Sequence, residues 1–143
     1  MRIATEFRWE MGHRLPNHKG ECKNIHGHSY KMIIELSGEL DAKSGMIVDF
    51  YDLGLIVKPI VKKFDHSFLV YKKDTKLLNF LAENKMKKVV TDYYGTVENI
   101  CNNFIDLIVK GIKKSKLDNI YSITVKIYET PNSYAEMTKI IEN

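Results

Sequence analysis

Regular alternation of apolar and polar side chains in two long segments near the N-terminus is the feature that most constrains the fold. Residues 2–10 and 25–38 each repeat with a period of two. Successive side chains of a β-strand point to opposite faces of a sheet, so this period predicts two strands that each bury one face. Residues 121–129 repeat the pattern, and 134–141 follow after a turn at 131–133. The sequence therefore predicts four strands in hairpin-linked pairs.

Segments with helical periodicity lie between the second and third predicted strands. Residues 51–64 space their apolar side chains by three or four positions, although Pro59 predicts a kink or a late start. A longer helix is predicted after Thr96, whose hydroxyl suits an N-cap. Residues 75–82 are compatible with a short helix, and 86–90 with a short edge segment. We expect an α+β fold, a four-stranded antiparallel sheet with two helices on one face.

Length and composition are those of an ordinary globular protein. The chain has 143 residues, of which 44% are hydrophobic and 28% charged, so we expect a single domain over residues 1–143. The formal net charge is only +4 and three of the 22 basic residues are arginine, which argues against nucleic-acid recognition. The sequence has no signal-peptide pattern and no apolar run near the ~20 residues of a membrane span. We expect no membrane partner and a cytoplasmic location.

The five histidines are concentrated between positions 13 and 66. His26 and His28 are two positions apart in a predicted strand and therefore present two imidazoles on one side. His13, on the loop after the first strand, could supply a third nitrogen. Three protein ligands with an open fourth position are typical of catalytic zinc. The alternative is a pair of strand histidines that face solvent.

The two cysteines are expected to remain thiols in a reducing compartment. Cys22, four residues before His26, could be a fourth zinc ligand that closes the site, or a reactive thiolate activated by a neighbouring cation. Cys101 lies on the apolar stripe of the long helix, which predicts a buried, inert side chain.

Three acidic or basic side chains at the ends of predicted elements are further candidates. Asp65 and His66 end the first helix, where they could form an oriented acid/base pair or simply a cation near the helix C-terminus. Glu129 lies on the same face of its predicted strand as the apolar side chains before it. A carboxylate on such a face needs a partner or marks a binding pocket, unless the strand leaves the core at this point.

Several motifs occur in an order that resembles one enzyme family over nearly the whole chain. They are Cys22-x₃-His26-Gly27-His28, the preceding His13-Arg14-Leu15, the run 45–50, Asp65-His66, Thr96-Val97-Glu98-Asn99 and Glu129-Thr130. Together they resemble the family of 6-pyruvoyl-tetrahydropterin synthase and 6-carboxy-tetrahydropterin synthase. The resemblance implies the tunnelling fold, in which an antiparallel sheet carries two helices and subunits join into barrels. It also implies a homo-oligomer, typically a hexamer built as a dimer of trimers.

The resemblance implies a role for each matching position. It makes zinc (Zn²⁺) the cofactor, Cys22 the catalytic thiol, and Asp65 with His66 the acid/base pair. The zinc ligands implied are His13, His26 and His28. Glu129 matches the carboxylate that anchors the pterin ring, and Thr96 lies in a segment that lines the pocket of a neighbouring subunit.

The expected reaction is zinc-dependent lysis of 7,8-dihydroneopterin triphosphate to 6-carboxy-5,6,7,8-tetrahydropterin, with release of acetaldehyde and triphosphate, on the queuosine and 7-deazapurine route. The alternative is 6-pyruvoyl-tetrahydropterin synthase, which eliminates triphosphate without cleaving the side chain. The short chain and its lysine bias favour the first. A third possibility is a non-catalytic zinc-binding module. From charge alone, Arg14, Lys19 and Lys23 are expected to contact the triphosphate.

Overall fold

One sheet of six strands, with three α-helices, forms the part of the chain that the structure describes, residues 1–141 of a computed structural model. The strand order across the sheet is β4-β3-β1-β2-β5-β6. The elements in chain order are β1 (Arg2–His13), β2 (His26–Gly38), α1 (Phe50–Phe64), β3 (Ser67–Tyr71), α2 (Thr75–Glu83), β4 (Lys88–Thr91), α3 (Val97–Lys114), β5 (Ile120–Thr130) and β6 (Ser133–Ile140).

Four of the strands form the antiparallel sheet that the alternation predicts. β1 pairs with β2 over its whole length, from Arg2 opposite Ser37 to His13 opposite His26. β5 pairs with β2 on the other side and with β6 beyond it. The β2–β5 pairing stops at Lys31 opposite Tyr128, so residues 26–30 of β2 and 129–130 of β5 do not pair with each other. The sheet therefore opens between the first residues of β2 and the last residues of β5.

The expectation of four strands and two helices was incomplete. β3 and β4 extend the sheet beyond β1, and both pairings there are parallel, so the sheet is mixed. β3 escaped sequence analysis because it is a five-residue run with little alternation: Leu69 and Val70 are both buried, on opposite faces. A strand buried on both faces loses the period of two that identifies a half-buried one.

α1 and α3 cover one face of the sheet and enclose the main hydrophobic core. α1 begins at Phe50, after Asp49, whose carboxylate accepts from the Tyr51 N–H, and Pro59 lies within the helix without ending it. Thr96 caps α3 as predicted, accepting from the Asn99 N–H. Cys101 lies in this core, 1% exposed, as expected from its place on the apolar stripe. No helix in residues 1–141 is both long and apolar enough to cross a membrane.

α2 packs on the opposite face of the sheet. Its buried side chains and one residue of β3 form a small separate cluster, here called the α2 cluster, of Val70, Leu77 and Leu81. Val70 and its neighbour Leu69 point to opposite faces, and Leu69 belongs to the core under α1 and α3. The prediction of helices on a single face therefore holds for α1 and α3 and is wrong for α2.

Candidate metal centre and active site

Three histidines converge at one end of the sheet, on the face covered by α1 and α3. His13 ends β1 and lies directly opposite His26, the first residue of β2. His28 follows two positions later on the same face of β2. One ring nitrogen from each lies within 4.8 Å of the others, and among residues 1–141 this is the group of side chains whose donor atoms could hold a metal ion.

Backbone carbonyls fix the tautomers of two of these rings. Nδ1 of His13 donates to the carbonyl oxygen of Gly95 at 2.7 Å, and Nδ1 of His26 donates to that of Asn24 at 2.8 Å. A carbonyl only accepts, so in each neutral ring the proton is on Nδ1 and Nε2 carries a lone pair. The Nε2 atoms of His13 and His26 are 3.1 Å apart. Two lone pairs at that distance repel each other unless a proton or a cation lies between them.

His28, the third ring of the cluster, also has a ring nitrogen free to bind a metal. Nε2 of His28 is buried and has no hydrogen-bond partner within residues 1–141. Burial lowers the pKa of His13 to about 4, and it also lowers that of His28, against the opposing effect of the nearby Glu129 carboxylate. Both rings are therefore neutral near pH 7, the form that binds metals.

The donor set fits Zn²⁺. Neutral imidazole is a preferred zinc ligand, and a carbonyl that accepts from the other ring nitrogen is the usual support that orients it. Three protein ligands leave a fourth coordination position for a substrate or water, as in catalytic sites.

Glu129 faces this cluster. Its Oε1 lies 3.6 Å from Nε2 of His13 and 3.7 Å from Nε2 of His28. Tyr30, 1% exposed, donates its hydroxyl to the same oxygen at 3.4 Å. Burial raises the pKa of the Tyr30 hydroxyl and the Glu129 carboxylate raises it further, so Tyr30 remains a donor. Glu129, which lies on the apolar face of β5, therefore marks a pocket.

Two clefts meet at His28. One, of about 560 Å³, lies where the β2–β5 pairing has stopped, and Glu129 and His28 both line it. The other, of about 350 Å³, lies on the β3 side of β2, and His66 and His28 both line it. The structure thus brings Glu129 and His66 to the histidine cluster from opposite sides.

Asp65 and His66 are held together beside β1. Nδ1 of His66 lies 2.9 Å from Oδ1 of Asp65, and the same oxygen accepts from the Glu10 N–H at 2.9 Å. The His66 N–H donates to the Glu10 carbonyl at 2.7 Å. The Glu10 N–H, with help from His66, holds the pKa of Asp65 below its usual value. An ionised Asp65 can orient the His66 ring by accepting from its Nδ1–H.

The sequence of residues 2–139 matches the family model of 6-pyruvoyl tetrahydropterin synthase. The chain belongs to this family. It is 33% identical over 142 residues to the 6-carboxy-5,6,7,8-tetrahydropterin synthase of Haemophilus influenzae, an alignment covering 94% of this chain and 96% of that protein. It is 30% identical over 146 residues to the enzyme of the same name from Rickettsia conorii, covering 96% and 99%.

Solved structures share the fold of this family member. The 6-pyruvoyl tetrahydropterin synthase of Plasmodium vivax matches with a TM-score of 0.79 at 18% identity, over 99% of this chain and 98% of that one. The enzyme of the same name from Caenorhabditis elegans matches with a TM-score of 0.67 at 24% identity, over 97% and 95%. The resemblance drawn from the motifs is confirmed, and the chain is an enzyme of the pterin synthase family, which argues against a non-catalytic zinc module.

Cys22 and Thr96 are the remaining predicted residues of this synthase-family site. Cys22 lies in a single 3-10 turn, Glu21–Lys23, and is half-buried. Its sulfur is not part of the converging group of donor atoms in residues 1–141. Thr96 caps α3, directly after the Gly95 whose carbonyl orients His13.

Arg14 does not fit the expected contact with triphosphate. Its guanidinium makes a two-point ion pair with Asp74, with Nε and Nη2 at 2.6 and 2.5 Å from the two carboxylate oxygens. Asp74 also caps α2, so the pair joins the end of β1 to that helix.

Two contributors to this synthase site were not predicted from the sequence. The Gly95 carbonyl is a backbone group, and no side-chain pattern identifies it. Tyr30 shares the parity of His26 and His28 on β2, which was a visible signal, but its contact with Glu129 depends on the pairing of β2 with β5.

Proposed function

We propose that this protein is a zinc-dependent lyase that converts 7,8-dihydroneopterin triphosphate and one water to 6-carboxy-5,6,7,8-tetrahydropterin, releasing acetaldehyde and triphosphate. The observation that carries the proposal is the convergence of three imidazoles opposite one carboxylate, Glu129. The names of the bacterial relatives support this reaction over others in the family.

In this proposal the three histidines hold the ion. His13, His26 and His28 each offer a lone pair, and the Gly95 and Asn24 carbonyls keep two of the rings in the binding tautomer. Zinc bound there supplies Lewis-acid chemistry that makes the hydroxyls of the substrate side chain more acidic.

Glu129 binds the pterin ring. The 2-amino-4-oxo pyrimidine edge of a pterin offers N–H donors, and a carboxylate can accept two of them side by side. The Tyr30 hydroxyl holds the Glu129 carboxylate towards the cleft. Charge-assisted hydrogen bonds of this kind contribute roughly 1.5–3 kcal/mol each.

Cys22 and the Asp65–His66 pair move protons on the substrate side chain. Cys22 as thiolate accepts a proton from a side-chain carbon, and His66, held by Asp65, serves as the acid/base partner from the second cleft. General acid and base groups of this kind contribute typically ~10²–10⁴-fold to rate.

The second candidate is 6-pyruvoyl-tetrahydropterin synthase, and the family model that matches the chain carries that name. The same residues would catalyse this reaction, without cleavage of the substrate side chain.

We further propose that the protein is a cytoplasmic homo-oligomer, a dimer of trimers, in which Thr96 lines a neighbouring subunit's pocket. We place its reaction on the queuosine route. Within the described residues 1–141, residues 2–10 of β1 pair with β2 on one side only, which leaves an edge for another subunit.

One experiment separates the two reactions. The zinc-loaded protein is incubated with 7,8-dihydroneopterin triphosphate, the pterin product is identified by mass, and acetaldehyde is assayed. We expect 6-carboxy-tetrahydropterin with equimolar acetaldehyde. A 6-pyruvoyl product without acetaldehyde would establish the second candidate, and an unchanged substrate would contradict both. Light scattering of the purified protein tests the oligomer.

A further inference from the structure

The cleft beside Glu129 is also lined by two basic side chains. His28, Glu129, Arg8 and Lys31 all line it. The imidazole and the carboxylate belong to the helix-covered face, whereas Arg8 and Lys31 have the opposite parity and lie on the outer face. Because β2 and β5 no longer pair beyond Lys31, the cleft gives one ligand access to both groups.

Arg8 and Lys31 lie directly opposite each other in the β1–β2 ladder. Among the paired strand residues in the described part of the chain, this is the one position where two permanently charged side chains of the same sign are opposed. Like charges in that arrangement destabilise a sheet. A bound anion between the two side chains would remove the repulsion.

Arg8 is paired with Glu6, and two other cations on the same face are also paired with acids. Arg2 lies 3.2 Å from Glu35, and Lys126 lies 2.8 Å from Glu136. Lys31 has no carboxylate partner in residues 1–141 and is instead positioned with Nζ 4.1 Å from the centre of the Tyr128 ring. An aromatic face holds a cation in place without cancelling its charge.

Arg8 also remains available for a second anion. Its contact with Glu6, at 2.6 Å, uses Nε. The guanidinium therefore keeps both Nη groups, the edge that binds phosphate oxygens with two hydrogen bonds.

We propose that Arg8 and Lys31 form a polyphosphate subsite that binds the triphosphate of the substrate while Glu129 holds its pterin ring. The proposal rests on the proposed function and names the residues that recognise the charged end of the same substrate. Lys31 is three residue steps along β2 from His28, which spans about 10 Å and matches a short carbon chain followed by phosphates. Arg14 is not part of this subsite, because it presents both Nε and Nη2 to Asp74, whereas Arg8 uses only Nε on Glu6.

The test compares the binding of neopterin triphosphate with that of neopterin, two fluorescent pterins that differ only in the phosphates, to the zinc-loaded protein. The wild-type protein should bind the triphosphate more tightly. Arg8→Ala and Lys31→Ala should each weaken triphosphate binding by about tenfold and leave neopterin binding unchanged. The preference for the triphosphate should also fall as ionic strength rises.

Matched controls lie on the same face. Arg2→Ala removes an arginine whose side chain is 69% exposed, the same fraction as that of Arg8, and Lys126→Ala removes a lysine that does not line the cleft. Both should bind the two pterins as the wild type does.

The outcomes separate the two proposals. Equal wild-type affinity for both pterins, or an equal loss in the controls, would overturn the subsite and leave the pterin function standing. Failure of the wild type to bind either pterin would overturn both.

Discussion

Nδ1 of His13 donates a hydrogen bond to the carbonyl oxygen of Gly95, 82 positions further along the chain, at 2.7 Å. Gly95 directly precedes Thr96, the cap of α3. The start of the longest helix therefore fixes the orientation of a ring at the end of β1. This coupling gives the histidine cluster a support that a β-hairpin alone would lack.

Gly95→Ala should weaken zinc binding. A Cβ at this position would lie 2.7 Å from Cδ2 of Leu69, a buried side chain, and 3.4 Å from Nδ1 of His13, so Leu69 or the turn must shift, and we expect the turn to carry the carbonyl away. Loss of such a supporting contact typically lowers metal affinity about 10–100-fold. Competition with a chromogenic zinc chelator measures the change.

Gly54→Ala is the matched control, because its Cβ would meet only the flexible end of Lys58 at 3.4 Å. It should bind zinc as the parent does. Unchanged zinc affinity in Gly95→Ala would show that the carbonyl does not orient His13.

His28→Ala should lose most of its zinc while keeping its fold. Two imidazoles bind zinc far more weakly than three, and the ring lies at the rim of the sheet rather than under the helices. Metal content after dialysis, with circular dichroism as the check on folding, measures both. His18→Ala removes an exposed histidine outside the cluster and should retain the ion. Full zinc content in His28→Ala would defeat the three-histidine assignment.

The two cysteines should respond differently to an alkylating reagent. Burial raises the pKa of the Cys101 thiol to about 11, and its sulfur contacts the Val125 carbonyl at 3.3 Å, so Cys22 should be modified first. Cys22→Ala should keep its zinc and lose turnover. Cys101→Ala should keep its activity per folded molecule and lose roughly 1 kcal/mol of stability. Loss of zinc from Cys22→Ala would instead make this thiol a ligand.

Asp74→Asn should reduce stability in a pH-dependent way. Hydrogen bonds from the Arg14 guanidinium hold the pKa of Asp74 below its usual value, so the carboxylate stabilises the folded state above its unfolded pKa of about 3.9. That contribution is lost as pH falls through the lower folded value. Thermal unfolding should show a deficit of roughly 1–3 kcal/mol at neutral pH that disappears in strong acid.

Glu83→Gln changes an exposed carboxylate on the same helix and should unfold as the parent does at every pH. A deficit in Asp74→Asn that persists unchanged in acid would show that the ion pair is not its source.

The parts of the site that sequence analysis found depend on local geometry. His26 and His28 share a face because strands alternate, and Thr96 caps a helix because its hydroxyl reaches the Asn99 N–H. Both relations span at most three residues, so the pattern alone is sufficient. Glu129 was identified for the same reason, because it is a charged residue on the otherwise apolar face of its strand.

The parts that were missed depend on register between distant segments. Arg14 was expected from its charge to contact the triphosphate, but its partner Asp74 lies 60 positions away. Nothing in the sequence distinguishes Arg8 and Lys31 from other surface charges, and only the β1–β2 pairing places them opposite each other. A single sequence contains the side chains of such pairs and not the register that joins them.

α2 is held to the sheet by less apolar surface than α1 or α3, since it buries two side chains where they bury four and six. Elements with few buried contacts open locally at free energies well below that of global unfolding. Asp74, which begins α2, holds Arg14, the residue directly after His13. Each local opening of α2 therefore frees the segment that follows His13. Amide hydrogens at the end of β1 should then exchange at the rate at which α2, on the opposite face of the sheet, opens.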